Sequence, residues 1–258
     1  MSDALIRALV ALPFGLVVGS FMTVAVYRIP RGESVVRPRS RCPNCGSEIG
    51  ARDNVPVLSW LLLRGRCREC GEPISAEYPL IELATAGVVV LAAIRYADPW
   101  QAVLVAGLLA MMPAIILIDV RKRIIPNRLT HPALLISLIL VVVASFVGEH
   151  TDLARATIGM ISYGGFYFVL ALLIPSGMGM GDAKLTALIG LVLGSVGLRF
   201  VGVAAGAAIL LGGLGGLVAL ALGKRGKDVI PFGPYIAVGA IIAALWGEQL
   251  AAWYLGRF

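Results

Sequence analysis

Residues 156–185 read ATIGMISYGGFYFVLALLIPSGMGMGDAKL, and no Asp, Glu, Lys or Arg interrupts the 26 residues from Ala156 to Gly181. A helix needs roughly 20 apolar residues to cross the hydrocarbon core of a bilayer. The run closes on three spaced glycines, Gly177, Gly179 and Gly181, and then on a carboxylate, Asp182. An acid at membrane depth is costly and reads as functional by default. One stretch therefore sets both the class of fold and the place to look for chemistry.

The pattern repeats on either side. Charge-free runs extend over Ala8 to Tyr27, Leu83 to Ile94, Pro99 to Ile118, Leu129 to Val147, Leu185 to Leu198, Phe200 to Gly223 and Val229 to Gly247. The second of these reaches spanning length if Glu82 is admitted, giving Tyr78 to Tyr96. The run from Leu185 is short, as suits a helix whose start is recessed into a cavity. Together they predict an all-α polytopic membrane protein with about eight transmembrane helices, because helices satisfy their own backbone in lipid. A hydrophobic content of 59% and a mean hydropathy of +0.89 exclude an ordinary soluble domain. The first run has no small-x-small cleavage site and its basic flank follows it, so it is expected to be a retained helix. Gly190/Gly194, Gly202/Gly206 and Gly212/Gly216 have the four-residue spacing of close helix packing in lipid. No internal repeat is evident.

The net charge of +7 is topological rather than a sign of nucleic-acid binding. With the N-terminus outside, 17 of the 22 Lys and Arg face the cytoplasm, including Arg121, Lys122, Arg123, Arg128, Lys184, Lys224, Arg225 and Lys227. Only Arg7, Arg95, Arg155, Arg199 and Arg257 fall on the other side. That asymmetry is the positive-inside rule. It predicts a multi-pass protein with an outside N-terminus, whose obvious partner is the bilayer.

One polar insert, residues 28–77, separates the first two helices and holds all four cysteines. Cys42-Pro43-Asn44-Cys45 and Cys67-Arg68-Glu69-Cys70 are paired C-x-x-C knuckles, the spacing of a four-thiolate zinc site. Two sulfurs from one tight turn occupy neighbouring vertices of a tetrahedron, and Gly46 and Gly71 suit the turn. A closed site of four thiolates is structural. On the reducing side of the membrane disulfides are disfavoured.

Asp119 ends the third apolar run, and Asp182 opens the sixth. By the charge count both lie at the same cytoplasmic depth. Alone, Asp182 reads as a helix N-cap and Asp119 as a counter-charge to Arg121–Arg123. As a pair they make a proton-sharing acid and base that can activate water against an amide. Gly179 and Gly181 would let an extended chain approach the backbone. Lys184 either steadies an ionised partner or snorkels, and Glu82 is either a site group or an inter-helix hydrogen-bond partner. Neither His131 nor His150 has a partner pattern for nucleophilic catalysis.

These residues resemble the bacterial prepilin peptidase family, the leader peptidases and N-methyltransferases of type IV pilins and type II secretion pseudopilins. The likeness is carried by Gly19-Ser20-Phe21, Val26-Tyr27-Arg28-Ile29-Pro30, both knuckles, Pro56-Val57-Leu58-Ser59-Trp60, Arg64-Gly65-Arg66-Cys67 and Tyr78-Pro79-Leu80-Ile81-Glu82. It continues through Asp119 with Ile125-Pro126 and Leu129-Thr130, Gly177 to Leu185, and Ile230-Pro231-Phe232-Gly233-Pro234-Tyr235. The resemblance implies that Asp119 and Asp182 are the catalytic dyad of an intramembrane aspartyl protease. It implies that the dyad removes a basic leader from a prepilin at the cytoplasmic face of the bacterial inner membrane. It implies methylation of the new N-terminus with S-adenosylmethionine, with Gly65 and Glu82 as candidate residues for that activity. It also implies two units, a methyltransferase-like region over 1–96 and a peptidase over 97–258. Asn127 and Thr23 stand where the family often has Asp and Asn. A peptidase without methylation, a non-catalytic zinc scaffold and a proton-coupled transporter are the competing expectations.

Overall fold

The computed structural model describes residues 2–148, 150–174, 178–223 and 231–256. Gly177, Ile230 and the basic residues Lys224, Arg225, Lys227 and Arg257 named above lie outside the described residues. Helix α1 spans Asp3–Arg28; the insert follows, with a short α2 at Leu58–Leu62, and then α3 at Glu77–Arg95. The rest comprises α4 (Pro99–Ala110), α5 (Met112–Lys122), α6 (Asn127–Val147), α7 (Leu153–Gly159), α8 (Gly165–Leu173), α9 (Met180–Val196), α10 (Leu198–Ala221) and α11 (Gly233–Leu255). Only isolated bridges in the insert depart from helix and turn among the described residues.

Seven helical spans among these residues are long and apolar enough to cross a membrane: Asp3–Arg31, Glu77–Arg95, Pro99–Lys122, Asn127–Val147, Leu153–Leu173, Leu198–Ala221 and Gly233–Leu255. The expected short one is α9. Its 17 residues give a rod of about 25 Å, less than a hydrocarbon core. Leu185, Leu188, Ile189, Leu191, Val192 and Leu193 are fully buried, and every residue from Leu188 to Ser195 is buried, so more than two turns of α9 are enclosed on all sides. A helix that is apolar all round belongs in the centre of its bundle.

Glycines set the closest approaches. A Cβ at Gly190 or Gly194 would strike the backbone of α7, and one at Gly15 or Gly19 would lie 2.8 or 2.7 Å from a Cα of α3. The Gly15/Gly19 pair has the same four-residue spacing as the three pairs read from the sequence, but only the structure singles it out. Gly202 and Gly206 line open space, so the packing expected of that pair is not made among the described residues. Gly212 instead leaves room for the Phe232 ring.

Two spans are interrupted. Pro113 lacks the N–H that would continue the ladder and crowds the preceding turn, so the span from Pro99 breaks at Met111. Between α7 and α8 the chain widens into a π-helical turn, Met160–Gly164, packed through Gly164 onto Ala187 of α9. Both irregularities border the central helix, where such bulges often accompany a site.

Candidate functional site

Asp119 lies one turn from the end of α5 and is 5% exposed; Asp182 lies in the first turn of α9 and is 9% exposed. Each is held through one carboxylate oxygen by the start of a helix. Asp182 Oδ2 accepts the N–H of Gly179, the N-cap of its own α9, at 3.0 Å. Asp119 Oδ2 accepts the N–H of Gly233, the first residue of α11, also at 3.0 Å. Helix N-termini present unpaired N–H groups and a partial positive charge, so each is a natural seat for a carboxylate.

Ile125 joins the two seats. A Cβ at Gly181 would lie 2.9 Å from Ile125 Cβ, and one at Gly233 would lie 3.2 Å from Ile125 Cδ1 and 2.6 Å from Asp119 Oδ2. Glycine is therefore required at both positions by close packing and not by an unusual backbone. Ile125 thus packs against both the neighbour of Asp182 and the donor to Asp119, which makes one candidate site of the two seats. An aromatic cluster adjoins it: Tyr167 lies 6.0 Å, ring centre to ring centre, from Phe232, which lies 5.9 Å from Tyr235.

The roles of Gly233 and Ile125 were not apparent from the sequence. Both lie in motifs quoted for the family likeness, but spacing alone cannot say that a residue 114 positions away donates to Asp119. Lys184 turns away from the aspartates, and its Nζ donates to Asn127 Oδ1 at 2.9 Å, linking α9 to α6. Asn127, the departure from the family pattern, thus has a partner.

The insert folds as two copies of one turn. Within the segments Ser40–Ile49 and Gly65–Ile74, the N–H of Cys42 donates to Ser47 and that of Cys67 to Glu72, while Gly46 and Gly71 donate to Cys42 and Cys67. Ile49 N–H closes onto Ser40 and Ile74 N–H onto Gly65, with φ of +73° at Gly46 and +72° at Gly71. A short repeat, R-C-x-x-C-G-x-x-I, is thus present after all.

The four sulfurs lie within 4.8 Å of one another, and Cys42 Sγ and Cys70 Sγ are 3.9 Å apart. A tetrahedral zinc at about 2.3 Å from each sulfur sets them roughly 3.8 Å apart, whereas a disulfide requires about 2.05 Å. All four cysteines are free. The Ser47 hydroxyl and N–H pull the Cys45 thiol down to about 6, and the N–H groups of Cys70 and Glu69 lower that of Cys67. The Cys45 N–H lowers the Cys42 thiol, but burial and the Cys45 and Cys67 thiols together push it up to about 11, so it is the donor set and spacing that fit zinc.

Gly65 and Glu82 fasten the insert. Gly65 has φ +66°, and a Cβ there would press 3.0 Å from the Trp60 ring, whose Nε1 donates to Ile74 O at 3.0 Å. Glu82, 7% exposed on α3, accepts the N–H of Val57 at 2.7 Å. Val57 is β-branched and has φ +62°, a strained backbone that the carboxylate helps to hold. Glu82 thus links a membrane helix to the insert. Two contacts tie this end of the bundle together: Arg121 of α5 forks onto Glu77 at the start of α3, and Arg128 Nη1 of α6 donates to Glu33 O in the insert at 2.8 Å.

Residues 13–96 match the family model described as the bacterial peptidase A24 N-terminal domain, and residues 102–220 match that of the type IV leader peptidase family. The chain is 36% identical to the prepilin leader peptidase/N-methyltransferase of Aeromonas hydrophila, across 95% of this chain and 92% of that one. It is 33% identical to the protein of the same name in Pseudomonas aeruginosa, covering 98% and 95%, and 32% identical to that of Bacillus subtilis, covering 94% and 95%. No solved structure matches. With both family models in order along one chain and relatives matched over nearly their whole length, this protein belongs to the type IV leader peptidase family.

Proposed function

We propose that the protein cleaves the basic leader from type IV prepilins or pseudopilins, with Asp119 and Asp182 sharing one proton across the scissile amide. The observation that supports this is the matched seating of the two carboxylates, each held through Oδ2 by a helix N-terminus on either side of Ile125. Two carboxyl groups facing one scissile amide would carry a single proton between them, leaving one base and one acid. The base takes a proton from water as the water attacks the carbonyl, while the acid gives its proton to the carbonyl oxygen; the proton taken from water then passes to the leaving nitrogen, and a hydroxyl proton of the collapsing intermediate returns to the other carboxylate. The backbone donors fix where each carboxylate points, and the enclosing helices keep bulk water out. The roles belong to the pair, not to either residue.

The same reading puts the dyad at the cytoplasmic face of the bacterial inner membrane, with the N-terminus outside. The basic count on that side supports it, as does the shared end of the bundle occupied by the insert and both aspartates. Residues 1–96 then form a unit that serves methylation of the new N-terminus, and residues 97–258 form the peptidase. S-adenosylmethionine would supply the methyl group when bound. Glu82 and Gly65 act as positioning residues that hold the zinc-stapled insert against α3, where the freed amine must be received.

The test is a reaction in vitro with a basic-leader prepilin, with and without S-adenosylmethionine, read by mass. The expected products are the mature chain without the methyl donor and the mature chain plus one methyl group with it. Cleavage by an Asp119→Asn or Asp182→Asn variant at the wild-type rate would reject the dyad. An unmethylated product in the presence of the donor would leave a peptidase alone.

A further inference from the structure

The sparse side of the charge count holds a second site. Among the described residues a cavity of about 690 Å³ opens at the end of the bundle opposite the aspartates. It lies where α3 and α9 end and where α4, α7 and α10 begin. Asp182 and Val196 are fourteen residues apart on α9, so the two sites are separated by about 21 Å along that helix. On the proposed topology, with the aspartates recessed at the inner face, the cavity falls toward the headgroups of the far one. Of the five basic residues assigned to that face from the sequence, Arg95, Arg155 and Arg199 all line it. Scattered outer charges would not converge from three different helices.

The charges are unevenly spent. Arg155 is neutralised by Asp152 at 3.1 Å. Arg95 and Arg199 share one carboxylate, Glu248, at 2.9 and 2.8 Å, which leaves one positive charge in excess on that wall. Asp98 caps α4 by accepting the N–H of Gln101 at 2.8 Å and meets no cation among the described residues, so it leaves one negative charge in excess. Among the described residues Arg95 Nε and Thr151 Oγ1 are buried without hydrogen-bond partners, and Thr151 is only 8% exposed. Buried polar atoms are rarely left so, and an absent polar group or ordered water is the usual reason.

We propose that this cavity binds a zwitterion of the phosphoethanolamine type, its phosphodiester on Arg95 and Arg199 and its ammonium toward Asp98. Arginine donors in a planar fork suit phosphate oxygens, and a volume of this size accepts a headgroup with its glycerol. The proposal does not depend on the peptidase reading, because its readout is binding.

The experiment is native mass spectrometry of the full chain in neutral detergent with phosphatidylethanolamine, phosphatidylglycerol or water-soluble glycerophosphoethanolamine. Wild type is expected to retain the ethanolamine lipid about tenfold better than the glycerol lipid, the worth of one charge-assisted contact. Arg199→Gln is expected to lose most of that retention. Asp98→Asn, which still caps α4, is expected to bind both lipids equally. If glycerophosphoethanolamine binds as tightly as the lipid, the occupant is a soluble zwitterion; if only the lipid binds, it is a membrane headgroup. Either result upholds the site. Equal retention by wild type and Arg199→Gln, with both melting at the same temperature, would overturn it. So would wild type preferring phosphatidylglycerol, or binding none of the three.

Discussion

The thiolate insert and the aspartate site lie at the same end of the molecule and are built in opposite ways. The insert is polar and local: two turns from one short pattern bring four sulfurs together, and each turn closes on its own backbone. The aspartate site is apolar and assembled from afar, with α5, α9, α11 and the segment before α6 each contributing one part. The insert has little core, so a metal on its four thiolates would hold it together, whereas the aspartates sit on helices that are stable for other reasons. Damage to one should therefore leave the other standing.

The largest effect expected is on the apolar side. Asp119→Asn and Asp182→Asn should each lower leader cleavage by about 10² to 10⁴-fold, the usual range for losing a positioned acid or base. Zinc content should stay unchanged in both, as read by metal analysis of the purified protein. Loss of zinc along with cleavage would mean that the two regions are not independent.

Gly233→Ala probes the long-range part of the same site without altering a carboxylate. Its new Cβ would fall 2.6 Å from Asp119 Oδ2, so either the carboxylate or the start of α11 must shift. Misplacement by about 1 Å can cost on the order of 10²-fold. The expected result is a fall of about that size in cleavage, with the fold and the insert intact. Wild-type turnover would show that the Gly233 seat does not matter.

Next in size comes the metal. Cys42→Ser, or stripping of zinc by a chelator, should unfold the insert and reduce methylation severely while sparing most leader cleavage. The measurement is the ratio of methylated to unmethylated mature product by mass, alongside one zinc per chain in the untreated protein. Cleavage falling faster than methylation would reverse the roles assigned to the two regions.

The same contrast explains what could be read from the chain. The spans were legible because lipid imposes length and charge exclusion on each segment separately; even short α9 could be recognised, with Asp182 at its head. The knuckles were legible because four ligands fall within two turns. Gly15 and Gly19 could have been found by the spacing rule that picked out the other pairs. Gly202 and Gly206 obey that rule yet meet nothing among the described residues, because spacing does not say which way a face points. The hydrogen bond from Gly233 to Asp119, and that from Val57 to Glu82, depend on how distant segments dock, and no local pattern encodes them.

The smallest effect concerns a single ion pair that locks the insert from within. Arg68, beside Cys67, forks onto Asp53 at 2.7 and 2.8 Å. The Arg68 guanidinium holds the Asp53 carboxyl below its ordinary value. A carboxyl whose folded value is depressed contributes its stability in full above its unfolded value of about 3.9. That contribution is lost only as pH falls through the lower folded value. Asp53→Asn should therefore speed amide exchange across residues 51–68 only slightly, since pairs near the surface are weak. The difference from wild type should be the same at pH 7 and pH 5. A difference that shrinks between those values would show that the pair titrates with the thiolates, and that the insert is held by one coupled network instead of a metal site with a separate clasp.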